Sequence, residues 1–207
     1  MWYVYPGGEM NFSDPQTQVI AYLQELREDS SVYSVQWMTI SPLHTGAVSP
    51  CALLARYLAH IRRFTCSVVR PLTSDHGIEF RLFNSRTSII SFAMPVYKEE
   101  GKTSSGILRI NGGVLVQRGE CDRGELSFIS EMCGEGVKVV IRLSDYCPLL
   151  LGAGRPRRWR KVLYRLTQAS IHKLVTVRFL SRLYRELAGA GGRVRVVRVK
   201  GTSGEDI

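Results

Sequence analysis

GRPRRWRKVLYRLTQASIHKLVTVRFLSRLYRELAG, residues 154 to 189, decides the reading of this chain, because it is both the longest helical pattern and the most basic segment. At about 100° per residue, Trp159, Val162, Leu163, Leu166, Leu174, Val177, Leu180, Tyr184 and Leu187 gather on one face. Arg160, Arg165, Arg178, Arg182 and Arg185 lie away from that face. Ile171, Val175 and Phe179 also lie away from it, spaced four apart and continued by Leu183, and form a second apolar stripe. A long helix with two apolar faces needs two contacts. The first face is expected to close the core. For the second, the candidates are the N-terminal arm or the VRVVRV segment near residue 194, a second copy of the chain, and an anionic membrane surface, which Arg178 and Arg182 would attract.

The same segment carries the charge. Of the 28 Lys and Arg and 18 Asp and Glu among 207 residues, 14 bases and one acid, Glu186, fall between Arg155 and Lys200. That quarter is worth +13 and the remainder −3, so one region supplies the whole net charge of +10. Such a balance points to a polyanion, either nucleic acid or an anionic membrane. With 44% hydrophobic and 22% charged residues the chain is neither disordered nor fibrous. The N-terminus, MWYVYPGGEMNF, has no basic and apolar leader pattern, so no signal peptide is expected. No run approaches the roughly 18 apolar residues of a membrane span. A cytoplasmic protein, with at most a peripheral membrane association, is the expectation.

Working outward, Pro15 to Glu28 is read as a helix, with Ser13 or Asp14 as cap and Val19, Ile20, Leu23 and Leu26 on one face. Val32 to Ile40, VYSVQWMTI, reads as a strand. Ser49-Pro50 opens a second helix whose Cys51, Leu54, Leu58 and Ile61 recur at helical spacing and whose end carries Arg62 and Arg63. From Phe64 the period falls to two. Strands are expected at Phe64 to Arg70, at Ile78 to Leu82 after the turn TSDHG, and at Ser88 to Met94. KEEGKTSSG reads as a hairpin loop, followed by a strand over Gly106 to Gln117. Gly112-Gly113 interrupts that strand as a bulge or bend rather than a phosphate cradle, since no helix start follows it. Leu126 to Ser130 and Val137 to Leu143 complete an antiparallel meander through the tight hairpin EMCGEG, and GTSGEDI is read as a loose tail. The order defines an α+β chain: an arm and helix over residues 1–30, a domain over 31–190, and a basic strand with a tail over 191–207.

VYSVQWMTI, SPCALLARYLAHIRR, the strands from Phe64 to Leu143 and the helix from about Pro156 together resemble, in topology alone, the START-like (helix-grip, SRPBCC) superfamily, in an uncharacterised branch. The resemblance spans residues 32 to 187. It implies a curved antiparallel sheet wrapped around a long C-terminal helix, enclosing an apolar cavity for a hydrophobic small molecule or lipid. It carries over no catalytic residue. In that frame Phe80, Leu82, Phe92, Arg109, Val139, Ile141, Asp145, Tyr146 and Leu166 are the candidates to line the cavity. Asp145, Tyr146, Arg109 and Arg142 would fix a polar head, while the plainer alternative pairs Asp145 with a surface arginine and packs Tyr146.

The motifs of common chemistry are missing. His44, His60, His76 and His172 show no metal-ligand spacing, and no metal or cofactor is expected. No nucleophile elbow, Walker loop or dinucleotide fingerprint occurs, so the balance leans away from an enzyme. Cys51, Cys66, Cys121, Cys133 and Cys147 form no CxxC pair and read as reduced thiols. The rival function is nucleic-acid binding through GRPRRWRK and RVRVVRVK. Homo-oligomerisation stays open.

Overall fold

The computed structural model describes residues 17–41, 46–117, 123–134, 136–149, 170–188, 193–200 and 205–206. A sheet dominates. In chain order the elements are β1 (Thr17–Leu26), β2 (Val32–Ile40), α1 (Pro50–Phe64), β3 (Val69–Ser74), β4 (Gly77–Leu82), β5 (Ser88–Phe92) and β6 (Val96–Glu100). They continue with β7 (Thr103–Gly112), β8 (Glu125–Cys133), β9 (Gly136–Tyr146), α2 (Ser170–Ala188), β10 (Arg193–Arg198) and β11 (Glu205–Asp206). Among the described residues, eleven strands form one sheet in the order β10-β1-β2-β9-β8-β7-β5-β4-β3, with β11 on β1 and β6 on β7. The expected antiparallel grip around a dominant helix is therefore corrected to a large mixed sheet that carries, among the described residues, two helices. The element that makes it mixed is β10, which runs parallel to β1 from Thr17↔Arg193 to Tyr22↔Arg198.

The largest local correction is β1, read from sequence as a helix. As a strand it sends Ile20, Gln24 and Leu26 to one face and Ala21, Leu23 and Glu25 to the other, and all six are buried. A strand covered on both faces has no apolar–polar alternation, and its apolar run then mimics a helical stripe. Phe64 closes α1 instead of opening a strand, and β3 begins only at Val69. The expected loop KEEGKTSSG is largely β6 and β7, paired from Val96↔Ile107 to Glu100↔Thr103. The tail is tied down where Glu205 and Asp206 pair with Leu26 and Glu25. Residues 1–16 and 154–169, which include the arm and the first half of the expected long helix, lie outside the described residues.

Elsewhere local chemistry and structure agree. Ser49 caps α1 by accepting from the Ala52 amide at 3.3 Å, Pro50 occupies the first turn, and Arg62 and Arg63 lie in the last. Val137, Val139, Ile141 and Leu143 form the buried face of β9. They join Ile20, Met38 and Phe128 from neighbouring strands, and α1 and α2, in a single core. β7 stops at Gly112, and Gly113, at φ +125°, turns the chain so that Val114 and Leu115 donate to the Ser88 and Ile89 carbonyls at 3.0 Å.

Helix α2 lies on this core by the stripe expected to await a partner. Val175, Phe179 and Leu183 are buried with Thr176 and Leu180, whereas Leu174, expected in the core, is 46% exposed and Ile171 58% exposed. The sheet and α1 cover Val175, Phe179 and Leu183 of the second stripe, while Ile171 stays exposed.

Candidate functional site

Helix α1 places Arg56, His60 and Arg63 on one stripe, since residues four and seven apart share a face. Opposite them α2 presents Phe179, Arg182, Leu183 and Glu186. The two helices are locked by aromatic contacts. The Tyr57 ring lies 5.2 Å from both Phe128 and Phe179, and His60 stands edge-on to Phe179 at 5.6 Å while stacking on Phe64. Between the outer rims of the helices lies a hollow of about 80 Å³ lined by Arg56, His60, Arg63, Phe179, Arg182 and Glu186.

The hollow opens into a wider groove of about 770 Å³ bounded by α1, α2 and β10, within the roughly 300–1,000 Å³ of small-molecule sites. Its apolar lining is Phe64, Val177, Val194 and Val196, with Phe64 and Val196 half-exposed, and its charged lining is Arg63, Arg178, Arg182, Arg185 and Glu186. The single carboxylate among the described lining residues is shared: Glu186 accepts from Arg182 Nε at 2.7 Å and from Arg56 Nη1 at 3.3 Å. It positions two guanidinium groups without neutralising the rest.

His60 forms the inner wall. It is 7% exposed, and its Nε2 is buried with no hydrogen-bond partner among the described residues. Burial is the main cause that lowers its pKa. Arg182 acts in the same direction, while a hydrogen bond to the Val175 backbone and the Glu186 charge oppose it.

A second polar cluster lies where α2 meets β1 and β2. Ser34 Oγ accepts from Gln36 Nε2 at 2.7 Å and from Gln24 Nε2 at 3.2 Å, and lies 3.5 Å from His172 Nδ1. Burial pushes the His172 imidazole down to about 4. The neighbouring Lys173 ammonium sits 5.1 Å over the Tyr22 ring.

The residues expected to line an internal cavity are dispersed. Phe80 and Phe92 touch edge-on at 5.2 Å, and with Val139, Ile141 and Tyr146 they are buried in the core. Leu82 lies at the surface, and Arg109 is exposed and 3.4 Å from Glu125. Asp145 pairs with Arg27 at 2.5 Å, the Tyr146 hydroxyl donates to the Leu115 carbonyl at 2.9 Å, and Leu166 lies outside the described residues. Of the expected surface residues, Arg178 and Arg182 join the groove, and Phe179 borders its hollow. Sequence reasoning missed His60, Arg63 and the two β10 valines. The only signal they carry is a basic helix end and an alternating basic strand. Among the described residues, no group of His, Cys, Asp and Glu could hold a metal ion. No described helix is long and apolar enough to cross a membrane.

No family model and no curated protein matches the chain. Among the solved structures that overlap with it are two of one protein. The solution structure of CalU16 from Micromonospora echinospora has 12% identity and a TM-score of 0.37, covering 84% of this chain and 78% of that one. The crystal structure of the same protein has 12% identity and a TM-score of 0.29, covering 61% and 68%. The likeness is of fold alone and assigns no family, ligand or reaction.

Proposed function

We propose that this protein binds a hydrophobic small molecule or lipid with an acidic head, and that the groove between α1, α2 and β10 is where it does so. The observation that supports this reading is an apolar floor of Phe64, Val177, Val194 and Val196 flanked by Arg63, Arg178, Arg182 and Arg185. Apolar area would hold the tail, and the arginines would hold the charge. The same arginines would draw the protein to an anionic membrane face, where such molecules reside. Nucleic acid is the less suited partner, because three of the four floor residues are valines and the one aromatic ring, Phe64, is already stacked on His60, where base stacking calls for open aromatic faces.

Native mass spectrometry with palmitate, lysophosphatidylglycerol and neutral monopalmitoylglycerol tests the proposal. Adducts with the two acidic amphiphiles, diminished in Arg178→Gln/Arg185→Gln, are expected. Equal retention of the neutral compound, or no adduct at all, would sink it.

A further inference from the structure

The groove has a distinct inner end, and its chemistry differs from that of the floor. The hollow beside His60 is about 80 Å³, room for two or three waters at roughly 30 Å³ each or for one compact head group. Among the described residues, Arg56, Arg63 and Arg182 face Glu186 alone there, an excess of two positive charges. Glu186 already accepts from Arg56 and Arg182, which leaves Arg63 as the guanidinium with no ion-pair partner within the hollow.

His60 supplies the second observation. It is more than nine-tenths buried, it lines this hollow, and its Nε2 is unpartnered among the described residues. The Val175 backbone acts on the ring to raise its pKa, and in the neutral tautomer that carries its proton on Nδ1, Nε2 is a bare acceptor. A buried acceptor walled in by arginines is costly unless something fills the hollow. The charged groups around it are Arg56 and Arg63 on α1 and Arg182 and Glu186 on α2, and the β10 residues of the adjoining groove are Val194 and Val196.

We propose that the hollow seats the oxyanion of the ligand's head, a carboxylate, phosphate or sulfonate, between Arg63 and Arg182, and that His60 Nε2 takes up one proton from solvent as the anion arrives and donates it as a hydrogen bond. This rests on the groove being the ligand site. Before binding, burial and the Arg182 charge keep the ring neutral. An anion in the hollow offsets the arginine field and offers an acceptor, and both effects favour the imidazolium. No covalent bond is made; one N–H forms at the expense of a solvent proton.

The test is titration calorimetry of the full chain with 1-decanesulfonate below its micelle concentration, in buffers of differing ionisation enthalpy. The sulfonate does not itself titrate near neutrality, so any proton uptake belongs to the protein. The expected result is close to one proton taken up per sulfonate bound, with affinity falling about tenfold for each pH unit through neutrality. Arg63→Gln should weaken binding about tenfold or more with that slope retained, and His60→Gln should flatten the slope, with circular dichroism reporting whether each variant is folded. The wild-type slope decides the matter even if His60→Gln fails to fold. Binding without proton uptake would overturn the seat and leave the groove standing, whereas no binding at any pH would overturn both. Inorganic sulfate bound as tightly as decanesulfonate, with the same slope, would uphold the seat for a free anion and remove the apolar floor from the function.

Discussion

The Phe179 ring of α2 meets the Tyr57 ring of α1 edge-on, with centroids 5.2 Å apart and planes at 88°. This contact fixes both helices over the sheet, because Tyr57 also touches Phe128 on β8. Phe179→Ala should cost about 3–5 kcal/mol, whereas Ile171→Ala on the exposed face of the same helix should stay within about 0.5 kcal/mol. Urea denaturation of the two variants reads the difference, and similar losses would mean that α2 is seated on its other face.

Stability should fall in mild acid because of His172. Its folded pKa is about 4, against 6.5 when unfolded, so between these values the unfolded chain binds more protons. The neutral ring's contribution is therefore complete above about pH 6.5 and drains away as pH falls toward 4, by up to about 3 kcal/mol. His60, also lowered, drains in the same direction. Denaturation midpoints at pH 7.5 and 4.5 should differ less in His172→Gln than in wild type.

Gly113 is the bend that lets the chain after β7 lie along β5. A Cβ there would stand 2.4 Å from the Ile89 carbonyl oxygen, at φ +125°. Gly101, at φ +60°, has nothing within 4 Å. Gly113→Ala should cost more than about 2 kcal/mol and Gly101→Ala about 1 kcal/mol. Equal melting temperatures for the two variants would deny the close approach.

The Arg27–Asp145 pair is partly exposed, at 38% and 28%, and should contribute little. A double-mutant cycle through Arg27→Gln and Asp145→Asn should give a coupling energy of about 0.2–1 kcal/mol. Asn suits the position because Asp145 sits at φ +51°, where Asp and Asn are tolerated better than most residues. A coupling well above this range would give the pair more than a surface role.

What the sequence made legible depended on how many faces an element buries. α1 and β9 carry one apolar face and a readable boundary, so Ser49-Pro50 and the alternation through Val137, Val139 and Ile141 located them. β1 did not, because Ala21 and Leu23 are buried behind Ile20 and Leu26 and the period disappears. α2 was legible as a helix but not in its orientation, since two apolar stripes offered two seatings and only the position of Tyr57 and Phe128 selects one. The candidate site was legible as charge alone. Arg178 and Arg182 stood out, but that they share a hollow with His60 follows from how α1 and α2 cross, which no local pattern encodes.

The parallel pairing of β1 with β10 also sets a timetable. Thr17 cannot acquire its partner Arg193 until Arg193 itself has left the ribosome, so this pairing waits while β2 to β9 and α2 are made. Closing so distant a contact carries a large loop entropy and predicts slow, late completion of the sheet. Among the described strands β10 is an edge, and its arginines then act as a safeguard, because a charged edge strand resists pairing with a neighbouring molecule once it has docked.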